Sequence, residues 1–125
     1  MRAVVQRVSK ASVTVADETT GAIGAGLLIL LGIHRDDGEV EVHSLVDKII
    51  HLRIFEDQEG KMNLSLLDTG GAMLIVSQFT LYGDCRKGRR PGYSAAAPPD
   101  KAEALYQLFI NEVKKQGISL SLIHI

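Results

Sequence analysis

Apolar and polar residues alternate over residues 2–8 and 11–15, where Val4, Val5 and Val8, then Val13 and Val15, sit among Arg, Gln, Ser and Thr. A repeat near two predicts a pair of short strands. Gly21, Gly24 and Gly26 then punctuate a turn region. The unbroken run Leu27-Leu28-Ile29-Leu30-Leu31, bounded by Gly26 and Gly32, suits a strand buried on both faces. After Asp36 the period lengthens: Val42, Leu45, Val46, Ile49 and Ile50 recur at i, i+3, i+4, i+7 and i+8, one face of a helix. Asp36 and Glu39 resemble a capping box opening it, and Lys48, His51 and Arg53 sit near its end, where the helix dipole favours cations. Arg53-Ile54-Phe55-Glu56 reads as a strand and residues 57–60 as a turn. Gly70-Gly71 leads into the apolar strand Leu74-Ile75-Val76. Residues 83–99 break every period with Gly, Pro, Ser and Ala, as a surface loop does. Asp100, boxed by Glu103, opens a second helix whose buried stripe is Ala104, Leu105, Leu108, Phe109 and Val113. Burying the larger of these contributes roughly 1.5–3 kcal/mol each, so packing rather than propensity holds that helix. The predicted fold is a single α/β domain, a mixed and mostly antiparallel sheet covered by two amphipathic helices.

Composition narrows the class. A chain of 125 residues with 46% apolar content supports one globular core. Its net charge of −1 gives no global sign of nucleic-acid binding, so any such partner needs a local patch. The single cysteine, Cys85, cannot form an internal disulfide and suits a reducing compartment. No apolar run approaches membrane-spanning length and no signal-peptide pattern is present, so a cytoplasmic location is expected.

The strand carrying Leu74-Ile75-Val76 ends in Ser77-Gln78-Phe79-Thr80-Leu81. Small hydrogen-bonding side chains and outward-turned amides at a strand end can form a carbonyl or oxyanion site. Ser and Thr also serve as ordinary turn residues there. A serine hydrolase needs a general base. Of the four histidines only His34, just past a strand end, could reach such a site. His43 and His51 belong to the first helix. No His or Cys pair has metal-ligand spacing, so neither metal nor cofactor is expected. The loop Arg86-Lys87-Gly88-Arg89-Arg90, flanked by Tyr82 and Tyr93, could grip phosphates and stack on bases. A phosphate grip beside an oxyanion-type site suggests an acylated nucleic-acid end as ligand. Two competing readings remain open: a noncatalytic tRNA- or nucleotide-binding module, and a small-molecule esterase using Ser77 or Thr80 with His34.

An ordered set of motifs decides among these. Met1-Arg2-Ala3-Val4-Val5-Gln6-Arg7-Val8, Ala11-Ser12-Val13-Thr14-Val15, Ile23-Gly24-Ala25-Gly26-Leu27-Leu28, Arg53-Ile54-Phe55, Gly60-Lys61-Met62-Asn63 and Ser77-Gln78-Phe79-Thr80-Leu81 occur in order. With Arg90-Pro91 and the start of the second helix, they closely resemble the bacterial D-aminoacyl-tRNA deacylases from Met1 to about Ser119. The resemblance implies a cytoplasmic homodimer that hydrolyses the ester between a D-amino acid and the tRNA 3′ end. It also implies removal of glycine mischarged on alanine tRNA, without metal or organic cofactor. Ser77, Gln78, Phe79 and Thr80 would line the pocket and carry the reaction, with Arg7 supporting it from behind. Backbone amides and the terminal adenosine's 2′-hydroxyl would do the chemistry. Arg86, Lys87, Arg89 and Arg90 are candidate tRNA contacts.

The chain departs from that family in one respect. The family's chirality filter is a Gly-Pro pair with a cis bond, inserted into the partner subunit's pocket, and here Pro91, Pro98 and Pro99 follow Arg90, Ala97 and Pro98. Leu120-Ser121-Leu122-Ile123-His124-Ile125 is what the transposase sequencing adapter CTGTCTCTTATACACATC encodes in this frame. Residues 120–125 are therefore expected to be a non-native tail on an incomplete deacylase domain, residues 1–119. Such a fragment is expected to be poorly stable and either inactive or unselective.

Overall fold

A computed structural model describes residues 1–123. In chain order the strands and helices are β1 Arg2–Val8, β2 Ala11–Val15, β3 Glu18–Ile23, β4 Gly26–Gly32, α1 Glu39–His51, β5 Phe55–Glu56, β6 Met62–Leu64, α2 Leu66–Thr69, β7 Ala72–Ser77, α3 Pro99–Lys115 and β8 Ser119–Ile123, with a 3₁₀ turn at Phe79–Tyr82. The central sheet has the order β1-β4-β7-β8. β1 runs antiparallel to β4, from Arg2↔Gly32 to Val8↔Gly26. β7 runs parallel to β4, with Gly26 opposite Ala72 and Leu31 opposite Ser77. β8 runs parallel to β7, from Ala72↔Ser119 to Val76↔Ile123.

A mixed sheet was expected, but in this central sheet two of the three pairings are parallel; antiparallel pairing holds at β1/β4 and in the two small hairpins β2/β3 and β5/β6. The reason is topological. Parallel neighbours require a crossover connection, and α1 and α3 lie within the connections that lead into β7 and β8. Both helices pack on one face. There Leu27, Ile29, Leu31, Met73 and Ile75 from the strands meet Val42, Val46, Ile49 and Ile50 of α1 and Leu105, Tyr106, Phe109, Ile110 and Val113 of α3. On the opposite face Leu74 and Val76 are covered by Ala11, Val13 and Ile23 of the β2/β3 hairpin, beside Leu28 and Leu30. β4 is apolar throughout because its side chains serve both faces in turn.

Several local expectations shift. α1 begins at Glu39 behind Gly38, whose amide donates to Glu41 Oε2 at 3.2 Å, so Asp36 and Glu39 are not its box. The neighbouring Asp37 is taken by one distant and one local partner: the Met1 amine, 36 residues away, at 2.8 Å and the His34 amide at 2.7 Å. α3 opens on Pro98 with Pro99 as its first residue, where a fixed φ suits the helix; Asp100 lies in the first turn without capping it. Ala104 faces solvent, and Tyr106 and Ile110 join the buried stripe instead. Only Phe55 and Glu56 of the segment 53–56 form a strand, β5. Of the expected tail, residues 120–123 pair within β8 and His124 and Ile125 lie outside the described residues.

Candidate active site

β7 delivers Ser77 to the end of the sheet, and the Gln78 amide adds one further bond to Leu31 O at 2.8 Å. The chain then tightens into the 3₁₀ turn, with the Leu81 amide reaching Gln78 O at 3.4 Å and the Gly83 amide Thr80 O at 3.0 Å. As the first two residues of that turn, Phe79 and Thr80 have no intrahelical acceptor, and their amides find none elsewhere among the described residues. The turn can sit this close to β4 because position 32 is glycine: a Cβ there would meet Leu81 Cβ at 3.0 Å. Gln78 Nε2 donates to Thr80 Oγ1, which ties the two side chains together.

Beside the turn lies a cavity of about 610 Å³, lined by Ser77 and Phe79, by Tyr93, Ala96, Ala97 and Pro98 of the loop, and by Pro99, Ala102, Glu103 and Tyr106 of α3. Its walls are anchored to the sheet. The Ala97 amide donates to Ile33 O at 2.8 Å and the Arg35 amide to Ala95 O at 2.9 Å, holding the loop to the end of β4. The Tyr106 hydroxyl donates to Ile75 O at 2.7 Å, locking α3 to β7 two residues before Ser77. Phe79, 56% exposed, meets Tyr93 edge to face at 5.2 Å, leaving an aromatic rim on the cavity.

Ser77 and Phe79 of the predicted residues therefore line the cavity, while Gln78 and Thr80 brace the turn beside it. Arg7 lies elsewhere. It pairs with Leu27, at the opposite end of β4 from Leu31 and its neighbour Ser77, and its guanidinium donates to Ile54 O at 2.7 Å. Residues 84–92 form a loop closed by paired bonds between Asp84 and Gly92 at 2.7 and 2.8 Å. Within it Arg86 is held by Asp84 at 2.7 Å, and this contact, chiefly the guanidinium hydrogen bond, lowers the Asp84 carboxyl to about 2. Lys87, Arg89 and Arg90 are exposed and have no carboxylate partner among the described residues. Tyr82 cannot stack on a base: it is buried beneath the Arg2 guanidinium at 4.6 Å and against His34 at 5.3 Å, and burial raises its phenol pKa. His34 does not line the cavity, and its Nδ1 accepts the Asp36 amide at 3.0 Å. Glu103, Tyr106 and the alanine wall were not legible as site residues, since each reads equally well as cap, core or loop.

The family described as D-Tyr-tRNA(Tyr) deacylase matches residues 4–123. This chain belongs to that deacylase family. It is 61% identical over 121 residues to the D-aminoacyl-tRNA deacylase of Desulfotalea psychrophila, covering 97% of this chain and 81% of the relative. Its fold superimposes on a solved structure of the c-Myc DNA Unwinding Element Binding Protein with a TM-score of 0.90 and 41% identity, over 99% of this chain and 85% of that one. A probable eukaryotic D-amino acid tRNA deacylase gives a TM-score of 0.75 at 25% identity, over 93% and 68% of the two chains. The deacylase fold thus accounts for the mixed sheet and its two covering helices. Among the described residues no helix is long and apolar enough to cross a membrane.

Proposed function

We propose that this chain hydrolyses the ester linking a D-amino acid to the 3′-terminal adenosine of tRNA, with the aminoacyl group in the cavity beside Ser77 and Phe79. Family membership supports the activity, and the observation that carries the site is the pair of unclaimed amides at Phe79 and Thr80 next to that cavity. Water adds to the ester carbonyl, and the two amides stabilise the oxyanion; one such donor is typically worth about 2.7–4 kcal/mol. The carbon–oxygen bond to the ribose then breaks and its 3′-oxygen takes a proton, with the adjacent 2′-hydroxyl placed to help activate the water. Thr80 positions the turn rather than attacking, since its hydroxyl is engaged by Gln78. A serine-esterase reading is disfavoured because His34 stands outside the cavity.

In this reading Lys87, Arg89 and Arg90 meet the phosphates leading to the 3′ end, and Arg86 shapes their loop through Asp84. Glycine mischarged on alanine tRNA is also a substrate, because glycine offers a hydrogen at either stereochemical position. We further read the chain as one protomer of a cytoplasmic homodimer. The partly uncovered sheet face at Val4, Leu28 and Leu30 supports an apolar contact between copies. Arg7 is assigned a supporting role at the far end of the sheet, tethering the segment before β5. A noncatalytic nucleic-acid-binding module is the second reading, supported by the uncompensated loop cations. Incubating the chain with D- and L-tyrosyl-tRNA separates the two. Release of free D-tyrosine above the spontaneous rate, with or without discrimination against the L-ester, is expected, and retention of both esters with tRNA bound would favour the second reading.

A further inference from the structure

We propose that a cationic face beside the cavity wall, built by Arg2, Arg35, Arg86 and Lys101, docks the phosphate backbone of the paired acceptor stem of tRNA; this rests on the tRNA substrate of the deacylase reading and names how the RNA is held away from the ester. The loop segment 93–98 borders two hollows that share no lining residue. Tyr93, Ala96, Ala97 and Pro98 line the cavity beside Ser77, whereas Ala95 lines a second hollow of about 380 Å³ together with Arg2, Asp84 and Arg86. Arg35 closes onto the same segment, its amide on Ala95 O at 2.9 Å and its guanidinium on Ser94 O at 3.1 Å. Lys101 reaches Arg35 O from the first turn of α3.

Sequence distance conceals this cluster. Its members come from β1, the turn after β4, the 84–92 loop and α3, and the pairing of Arg2 with Gly32 sets them at the same end of the sheet as Ser77. With Lys87, Arg89 and Arg90 they make seven of the chain's 14 Lys and Arg. The acids nearest to them in the chain are Asp36, Asp84, Asp100 and Glu103, so this end is positive although the whole chain carries −1. Arg86 is held by Asp84 at 2.7 Å, and Arg35 lies 3.7 Å from Asp36. Arg2 and Lys101 have no carboxylate partner among the described residues: Arg2 donates to Leu81 O and lies over the Tyr82 ring, and Lys101 donates to Arg35 O. A carbonyl orients a cation without neutralising it.

Phosphodiesters supply the matching charge. The unpaired 3′ end offers a single line of phosphates, which the loop cations receive, while the paired stem behind it presents two backbones. A separate group of cations serves the strand that the loop does not reach. Phosphate contacts fix register and orientation without reading bases, and A-form RNA is recognised mostly by its shape and backbone. Such a face therefore grips many tRNAs alike.

The test measures, by fluorescence anisotropy across a salt series, binding of a non-aminoacylated minihelix (the acceptor stem with its 3′ overhang) and of a single strand with the same 3′ sequence. The wild-type chain is expected to bind the minihelix more tightly. For the minihelix, Arg35→Gln/Lys101→Gln should make the slope of log affinity against log salt shallower by about one for each lost phosphate contact. Single-strand binding should stay at its wild-type value. Asp36→Asn removes an anion from the face and should tighten minihelix binding, a gain that misfolding does not produce. Lys10→Gln, an exposed cation just beyond β1 at the opposite end of the sheet, should change neither RNA. Equal wild-type affinity for the two RNAs, an unchanged minihelix slope in the double variant, or the same loss on both RNAs overturns the docking face. No ester is cleaved in this assay, so the two readings fail separately. Hydrolysis of D-tyrosyl-tRNA without a minihelix preference defeats the docking face alone, and a minihelix preference without hydrolysis defeats the deacylase reading alone.

Discussion

Thr80 has the side chain that most suggests a nucleophile in the strand-end segment, yet its hydroxyl accepts from Gln78 and does not line the cavity. Removing it should loosen the turn by about one ordinary hydrogen bond, near 1 kcal/mol. Thr80→Ala is therefore expected to reduce kcat by less than about tenfold with tRNA affinity retained. Single-turnover kinetics check this, and complete loss of hydrolysis in a folded variant would return Thr80 to a chemical role. The importance of this segment was legible from residue types alone, because Ser, Gln and Thr closing an apolar strand leave hydrogen-bonding capacity where a sheet would use none. Which of them meets substrate was not. A side chain's direction at a strand end depends on the turn that follows, and that turn is set by how closely Gly32 lets it approach β4.

At the scale of elements, the loop over residues 84–92 reads in sequence as a block of cations, whereas in space one of them is already satisfied. The Asp84 carboxyl is lowered from 3.8 to about 2, first by the Arg86 guanidinium and then by the Arg86 amide. A carboxyl lowered on folding stabilises the folded loop above its unfolded value, and that contribution disappears as pH falls from 3.8 through about 2. Amide exchange across the loop should therefore be equally protected at pH values above about 5 and lose protection toward pH 2. The same profile in Asp84→Asn should be flat; an identical fall in both would show that the acid response arises elsewhere. The helices follow a similar division. Periodicity placed the buried stripe of α1 correctly, since Val42, Val46, Ile49 and Ile50 are all buried. Capping did not follow, because Asp36, Asp37 and Gly38 are each chemically able to begin a helix. The Met1 amine, 36 residues away in sequence, removes Asp37 from that competition.

For the molecule as a whole, that same contact joins the first strand to the loop entering α1. Asp37 is 7% exposed, binds the Met1 amine and also receives the His34 amide. His34 in turn bridges to Ala96 in the cavity wall. Taking away one partner of a buried ion pair leaves the other uncompensated, which costs about 3–5 kcal/mol. Asp37→Ala should therefore lose that much in urea unfolding, a large share of the roughly 5–15 kcal/mol available to a small domain. A loss below about 1 kcal/mol would show that the amine finds solvent instead.

Sequence by itself determined the periods: two strands at the start, a doubly buried strand at 27–31, two helices with one apolar face each, and a polar strand end within a set of motifs shared with the deacylases. These follow from local geometry, since a residue's neighbours at i+2 or i+4 decide its face wherever the chain folds. Tertiary structure alone decided the parallel pairing of β4, β7 and β8, the burial of Tyr82, the distance of Arg7 from the cavity and the presence of Glu103 in its wall. Each of these depends on residues far apart in sequence being brought together by packing, and no local period encodes which distant partner a side chain will meet.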